Sequence, residues 1–254
     1  MGGLESKALP VKNYCYIRTT DGHRTPDGHH PDRVTYGGST LPKNMDCQEL
    51  KVHGCPMEKV ESDTYLGDVI SSNGKNTINI ENRVSKGIGI VSQIMDLLKS
   101  VSFGKHYFEI AVTLREAMLV NGLLTNCEVW HDLKDTEVNK LEEIDRLLLR
   151  KIFQVASSCP TEALYLELGF NPLGIVIKSR RLNYLHHLVT REETEMLWKI
   201  FITQWEFPST RGEWADHVRG DLEMFGICDE LNWIKSKSKL TFKAMVKKQS
   251  SWHW

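Results

Sequence analysis

The sequence predicts a mostly α protein, a helical array preceded by a small antiparallel β element and a flexible N-terminal arm. Three observations carry this expectation. From Thr77 onward apolar residues recur every three or four positions, the helical period. Between Glu49 and Gly74 the runs are short, extended and bounded by turn-formers. Before that, Asp21-Gly22-His23, Pro26-Asp27-Gly28-His29-His30 and Gly37-Gly38-Ser39 supply turn residues in place of any apolar stripe.

Composition bounds the function. With 254 residues, 41% of them apolar, the chain can bury a sizeable core. No run approaches the roughly 18 consecutive apolar residues of a membrane span. Met1-Gly2-Gly3-Leu4-Glu5 lacks the basic-then-apolar order of a secretory signal. A formal net charge of -1 does not by itself announce a nucleic-acid binder. The six cysteines (Cys15, Cys47, Cys55, Cys127, Cys159 and Cys228) contain no CxxC pair and read as reduced thiols of an intracellular protein. Cys47 and Cys55 lack the second pair that zinc requires, and His23, His29 and His30 sit where nothing builds a site, so no metal is expected.

The elements follow in order. Residues 1–46 cannot bury much and form the arm. Leu50-Lys51-Val52 and Lys59-Val60 flank His53-Gly54-Cys55-Pro56, a hairpin pattern, and Thr64 to Ile70 is a third extended run that Ser71-Ser72-Asn73-Gly74 ends. A first helix begins at Asn76 or Thr77 and carries Ile80, Val84, Ile88, Val91, Met95 and Leu98 on one stripe. Gly87 and Gly89 inside it each cost about 1 kcal/mol against alanine, which points to a close approach by another element or a ligand. A second helix spans Lys105 to Leu124. A third follows Asp135, with Val138, Leu141, Ile144, Leu148 and Ile152 on one face. Pro160 opens a short helix closed by Gly169. Asn171-Pro172 starts one running through Leu188, and Glu192–Trp205, Gly212–Phe225 and Asp229 to about Lys248 complete the array.

Local charge is less even than the total. Lys235, Lys237, Lys239, Lys243, Lys247 and Lys248 follow Leu231 without a single acid. Lys178, Arg180 and Arg181 cluster in the Asn171 helix, and Arg146, Arg150 and Lys151 end the third. Such runs form a solvated face or follow a phosphate backbone.

One stretch carries a family resemblance. Tyr65-Leu66-Gly67-Asp68-Val69-Ile70-Ser71, followed by Ile80-Glu81-Asn82-Arg83-Val84-Ser85-Lys86-Gly87, resembles the region just after the catalytic palm in reverse transcriptases of non-LTR (LINE-like) retrotransposons. The later blocks around Leu114–Met118, Glu128–Trp130, Leu141–Asp145, Glu162–Gly169 and Ile177–Leu185 are similar to that family's helical downstream region. The resemblance covers roughly Gln48 to Lys248. It implies a primer grip at Tyr65, Leu66 and Gly67, where a glycine turn after an aromatic approaches a sugar-phosphate. It also implies a thumb-like helix on which Arg83 and Lys86, three apart, both meet phosphates. With Lys178, Arg180 and Arg181, these are the candidate nucleic-acid contacts. Ordinary strand packing is the competing reading for Tyr65 and Leu66.

The implied organisation is an arm at 1–46 that does not match the family, and a β element with a grip-like turn at 47–75. Thumb-like helices occupy 76–155, and a downstream helical region with a lysine-rich end occupies 156–254. The implied partners are an RNA/DNA primer–template duplex held by its backbone and the palm of a parent polymerase, in the nucleus or a cytoplasmic ribonucleoprotein, with no membrane. The departure is chemical. Family enzymes hold two magnesium ions on an aromatic-x-Asp-Asp turn plus an earlier aspartate, and this chain contains no Asp-Asp pair. A fragment unable to polymerise by itself, with no cofactor of its own, is therefore expected.

Two other classes compete. A non-catalytic helical protein-interaction module would use Trp130, Trp198, Trp205, Trp214, Trp233, Trp252 and Trp254 as anchors, against a core role for most of them. An enzyme would need convergent groups. No nucleophile elbow, phosphate-cradling loop, dinucleotide fingerprint or zinc-protease helix occurs, and His186-His187 has no identifiable partner.

Overall fold

The computed structural model describes residues 16–19, 51–52, 55–65, 67–131, 133–206 and 213–250. The rest of the arm, Leu66, Trp252 and Trp254 lie outside the described residues, as do the expectations placed on them. The protein is mostly helical with a small antiparallel β component, as the sequence predicts. It divides into two compact units, residues 1–79 and 80–254.

In the first unit, strands β1 (Tyr16–Thr19), β2 (Lys51–Val52) and β3 (Cys55–Val60) form a sheet of order β1-β3-β2. The predicted hairpin is β2–β3, with Lys51 opposite Pro56 and Val52 opposite Cys55. Part of the arm is a strand, since Tyr16 to Thr19 pair antiparallel with Val60 to Met57. The run expected to be one strand is itself a hairpin. Strands β4 (Ser62–Tyr65) and β5 (Asp68–Ser71) pair antiparallel, and Tyr65 faces Asp68 across the turn. Asn79 is buried and clips this hairpin. It donates to Asp68 Oδ1 at 3.0 Å, and its own Oδ1 accepts the Val69 N–H at 3.1 Å.

The helices are α1 (Thr77–Leu98), α2 (Lys105–Leu114), α3 (Asn121–Leu123), α4 (Asp135–Phe153), α5 (Thr161–Leu168), α6 (Leu173–Val189), α7 (Met196–Glu206), α8 (Trp214–Met224), α9 (Leu231–Ser236) and α10 (Lys239–Ser250). The expected second helix is α2 and α3 joined by a π-helical turn at Arg115–Val120. On α1 the buried stripe is Ile80, Gly87, Val91, Ile94 and Leu98, while Ile88 is exposed. Gly87 belongs to the stripe because a Cβ there would lie 2.8 Å from the Leu123 side chain and 3.0 Å from Ile144. Gly89 faces open space. The close approach read from the two glycines is therefore real at Gly87 alone, and the approaching groups are protein side chains.

Two apolar clusters fill the second unit and both draw on α6. Its first half gives Leu173 and Ile177 to the cluster of α1–α4, and its second half gives Leu182, Leu185, Leu188 and Val189 to the cluster of α7–α10. The single helix expected after Asp229 is broken into α9 and α10. Ser238 caps the second piece, its Oγ accepting the Thr241 N–H at 3.1 Å and its carbonyl accepting Phe242 N–H at 2.9 Å. Four of the seven tryptophans serve the core. Trp130 is buried, and Trp205, Trp214 and Trp233 pack against the second cluster, which removes most of the anchors a protein-interaction module would use.

Candidate nucleic-acid interface

In the first unit the candidate grip is the tip of the β4–β5 hairpin. Gly67 adopts φ 91°, in the region that disfavours any side chain, and a Cβ there would meet nothing within 4 Å. The turn needs glycine for its backbone shape and leaves the space around that backbone open. Tyr65 presents its ring to solvent at 51% exposure.

In the second unit the arginines and lysines part company. Arg83 and Lys86 were expected on one exposed face, and the structure corrects this. Lys86 is exposed, but Arg83 is buried under Trp130, its guanidinium 5.3 Å from the ring centroid, and donates to the Gly122 carbonyl at 2.9 Å. That carbonyl lies at the C-terminal end of α3, where helical acceptors lack intrahelical donors, so a guanidinium fits there better than solvent does.

The basic cluster of α6 turns inward in the same way. Arg181 is buried and binds Asp221 of α8 through Nε at 2.6 Å and Nη2 at 3.3 Å, with Nη1 donating to the Trp130 carbonyl at 3.3 Å. Burial pushes the Asp221 carboxyl up, and the Arg181 charge opposes that shift. Arg180 is half-buried and donates to the Leu124 carbonyl at 2.9 Å and Asn121 Oδ1 at 3.0 Å, the same helix end that Arg83 serves. Lys178 is half-buried with Nζ 3.1 Å from Met224 Sδ. Arg83, Arg180 and Arg181 thus act as internal tethers, and a phosphate would have to displace protein acceptors to reach them.

A second buried network was not visible in the sequence. Arg115, in the π turn, grips Asp145 of α4 through Nε at 2.7 Å and Nη2 at 2.6 Å, also contacts Glu116, and lies 4.3 Å from the Phe170 ring centroid. Tyr165 of α5 donates to Asp145 Oδ2 at 2.9 Å. Burial alone would lower the Arg115 guanidinium, but Asp145 outweighs it and the group is raised; burial and Asp145 together push the Tyr165 hydroxyl up. Arg115 and Tyr165 both hold their protons near neutrality, which suits a structural clamp between α4, α5 and the π turn.

Outside these tethers, cations reach solvent on α10. Lys239, Lys243 and Lys247 are all exposed and make no ion pair among the described residues. No group of three or more His, Cys, Asp or Glu is placed to hold a metal among the described residues, and none of the described helices is long and apolar enough to cross a membrane. Comparison with family models, with curated proteins and with solved structures gives no significant match.

Proposed function

We propose that this chain is a connection-and-thumb fragment of a non-LTR reverse transcriptase, which holds a primer–template duplex by its sugar-phosphate backbone and performs no nucleotidyl transfer itself. The observation that supports this best is the hairpin tip at Tyr65–Asp68. It combines an exposed aromatic ring with a glycine at φ 91° whose backbone is open to approach. Those are the properties a backbone grip needs, because a nucleic-acid strand can reach the main chain while its sugar or base packs on the ring. The helical body that follows adds exposed lysines, which suit phosphate contact without base readout.

Fluorescence anisotropy of a short labelled RNA–DNA duplex tests the reading. Tyr65→Ala removes a contact worth about 1–3 kcal/mol, so affinity falls about 5- to 150-fold, and Gly67→Val also lowers it by reshaping the turn. Absence of duplex binding by the wild-type chain at low salt overturns the proposal. Magnesium-dependent extension of a primed RNA template by the purified chain overturns its non-catalytic part.

A further inference from the structure

We infer that the phosphate-tracking surface of the helical body is the exposed lysine ridge of α10, Lys239, Lys243 and Lys247, and that its partner is a nucleic-acid duplex. The inference deepens the proposed function and rests on it for the choice of partner.

The three lysines are spaced by four residues, so they lie along one i, i+4, i+8 ridge about 6 Å apart. That interval is close to two base steps of a strand that rises about 3.4 Å per nucleotide. The stripe flanking the ridge is committed to the core. Phe242 and Val246 are buried, His186 of α6 stacks on Phe242 with ring centroids 5.1 Å apart, and Asn171 reaches Ser250 at 3.2 Å. The ridge is therefore held on a fixed support.

Among the described residues no acid pairs with these lysines. Like charges four apart on a helix repel, and no acid lies between Leu231 and Ser250 to relieve them. Lys239 also stands in the first turn, at the positive end of the helix dipole, where an acid would be favoured. The neighbouring lysines of α9 and its C-cap differ. Lys235 lies 3.9 Å from Glu193, and Lys237 sits over the Trp233 ring at 4.7 Å. A self-repelling ridge on a rigid helix is relieved by a polyanion. An anionic membrane fits less well, because the apolar side that would insert is already buried and Leu240 alone projects among the lysines.

The test is the salt dependence of duplex binding by the full chain and by the triple variant Lys239→Gln/Lys243→Gln/Lys247→Gln. Each phosphate contact contributes about 0.9 to the slope of log affinity against log salt, so the ridge contributes between two and three units. Between about 50 and about 200 mM salt the wild-type affinity then falls roughly 40-fold more than that of the triple variant. The triple Lys→Arg variant keeps the wild-type slope, and a thermal midpoint no lower than that of the wild type shows that both variants fold. A wild-type chain that binds duplex with a slope the Gln variant leaves unchanged overturns the ridge but leaves the proposed function standing. A wild-type chain that binds no duplex overturns both. Tighter binding to phosphatidylserine vesicles than to duplex, lost in the Gln variant, overturns the assignment to nucleic acid.

Discussion

Replacing Arg181 separates an internal tether from a phosphate contact. In Arg181→Ala the Asp221 carboxylate keeps its burial, about 5% exposed like its partner, and loses both of its Arg181 hydrogen bonds. The Trp130 carbonyl loses a third. Removing one partner of a buried ion pair costs about 3–5 kcal/mol, because the other charge stays desolvated and unpaired. For a domain of this size that lowers the thermal midpoint by roughly 10 °C. Replacing both partners, as in Arg181→Met with Asp221→Leu, leaves no buried charge and is expected to come within about 1 kcal/mol of the wild type or above it.

The pH dependence carries its own sign. Burial already raises the Asp221 carboxyl, and loss of Arg181 raises it further. A carboxyl whose folded-state pKa lies above its unfolded value binds its proton more tightly when folded. The penalty in Arg181→Ala is therefore largest at neutral pH and shrinks as pH falls towards the ordinary carboxylate range. Urea denaturation across that range, read together with duplex affinity, gives the answer. An Arg181→Ala protein as stable as the wild type, with a shallower salt slope for duplex binding, would refute the tether and restore Arg181 to the nucleic-acid surface.

Other substitutions test the packing. Gly87→Ala forces Leu123 and Ile144 apart and costs about 1–3 kcal/mol, whereas Gly89→Ala, with open space around it, gains up to about 1 kcal/mol from helix propensity; thermal melts of the two should shift in opposite directions. Burial pushes the Cys127 thiol up to about 12, so near pH 8 only about one molecule in ten thousand carries a thiolate there. Alkylation followed by mass mapping should label exposed Cys228 first and reach Cys127 only on unfolding. Tyr165→Phe takes one donor from buried Asp145 while leaving Arg115 in place, and should cost about 1.5–3 kcal/mol by chemical denaturation.

What the sequence makes legible is the local part of the fold. Leu141, Ile144, Leu148 and Ile152 announce α4 because their spacing is the helix period, and each is buried. Gly169 marks the end of α5 because its φ of 62° suits glycine. The same spacing cannot see partners that are distant along the chain. Arg83 finds Gly122, Arg181 finds Asp221 and Arg180 finds Leu124, each about forty or more positions away. Nothing local distinguishes these guanidiniums from solvated ones. The division of the last helix at Ser238 was within reach, since a serine three residues before Thr241 is an N-cap pattern. The continuous lysine-rich run hid it.

Residue type, more than charge density, sorts the basic groups of the helical body. Arg83, Arg115, Arg180 and Arg181 each present several donors in a fixed plane, and each meets backbone carbonyls, carboxylates or aromatic faces at a crossing of elements. A lysine in those places would supply one point charge and leave acceptors unmet. On α10 the requirement reverses. The ridge points to solvent, where flexible, strongly hydrated ammonium groups keep their charge without needing a fixed acceptor. A surface built of lysine alone attracts phosphate without reading bases, so the binding it supports is steep in salt and indifferent to sequence. The arginines, whose planar forks suit phosphate as well as carboxylate, are already committed to contacts inside the helical body.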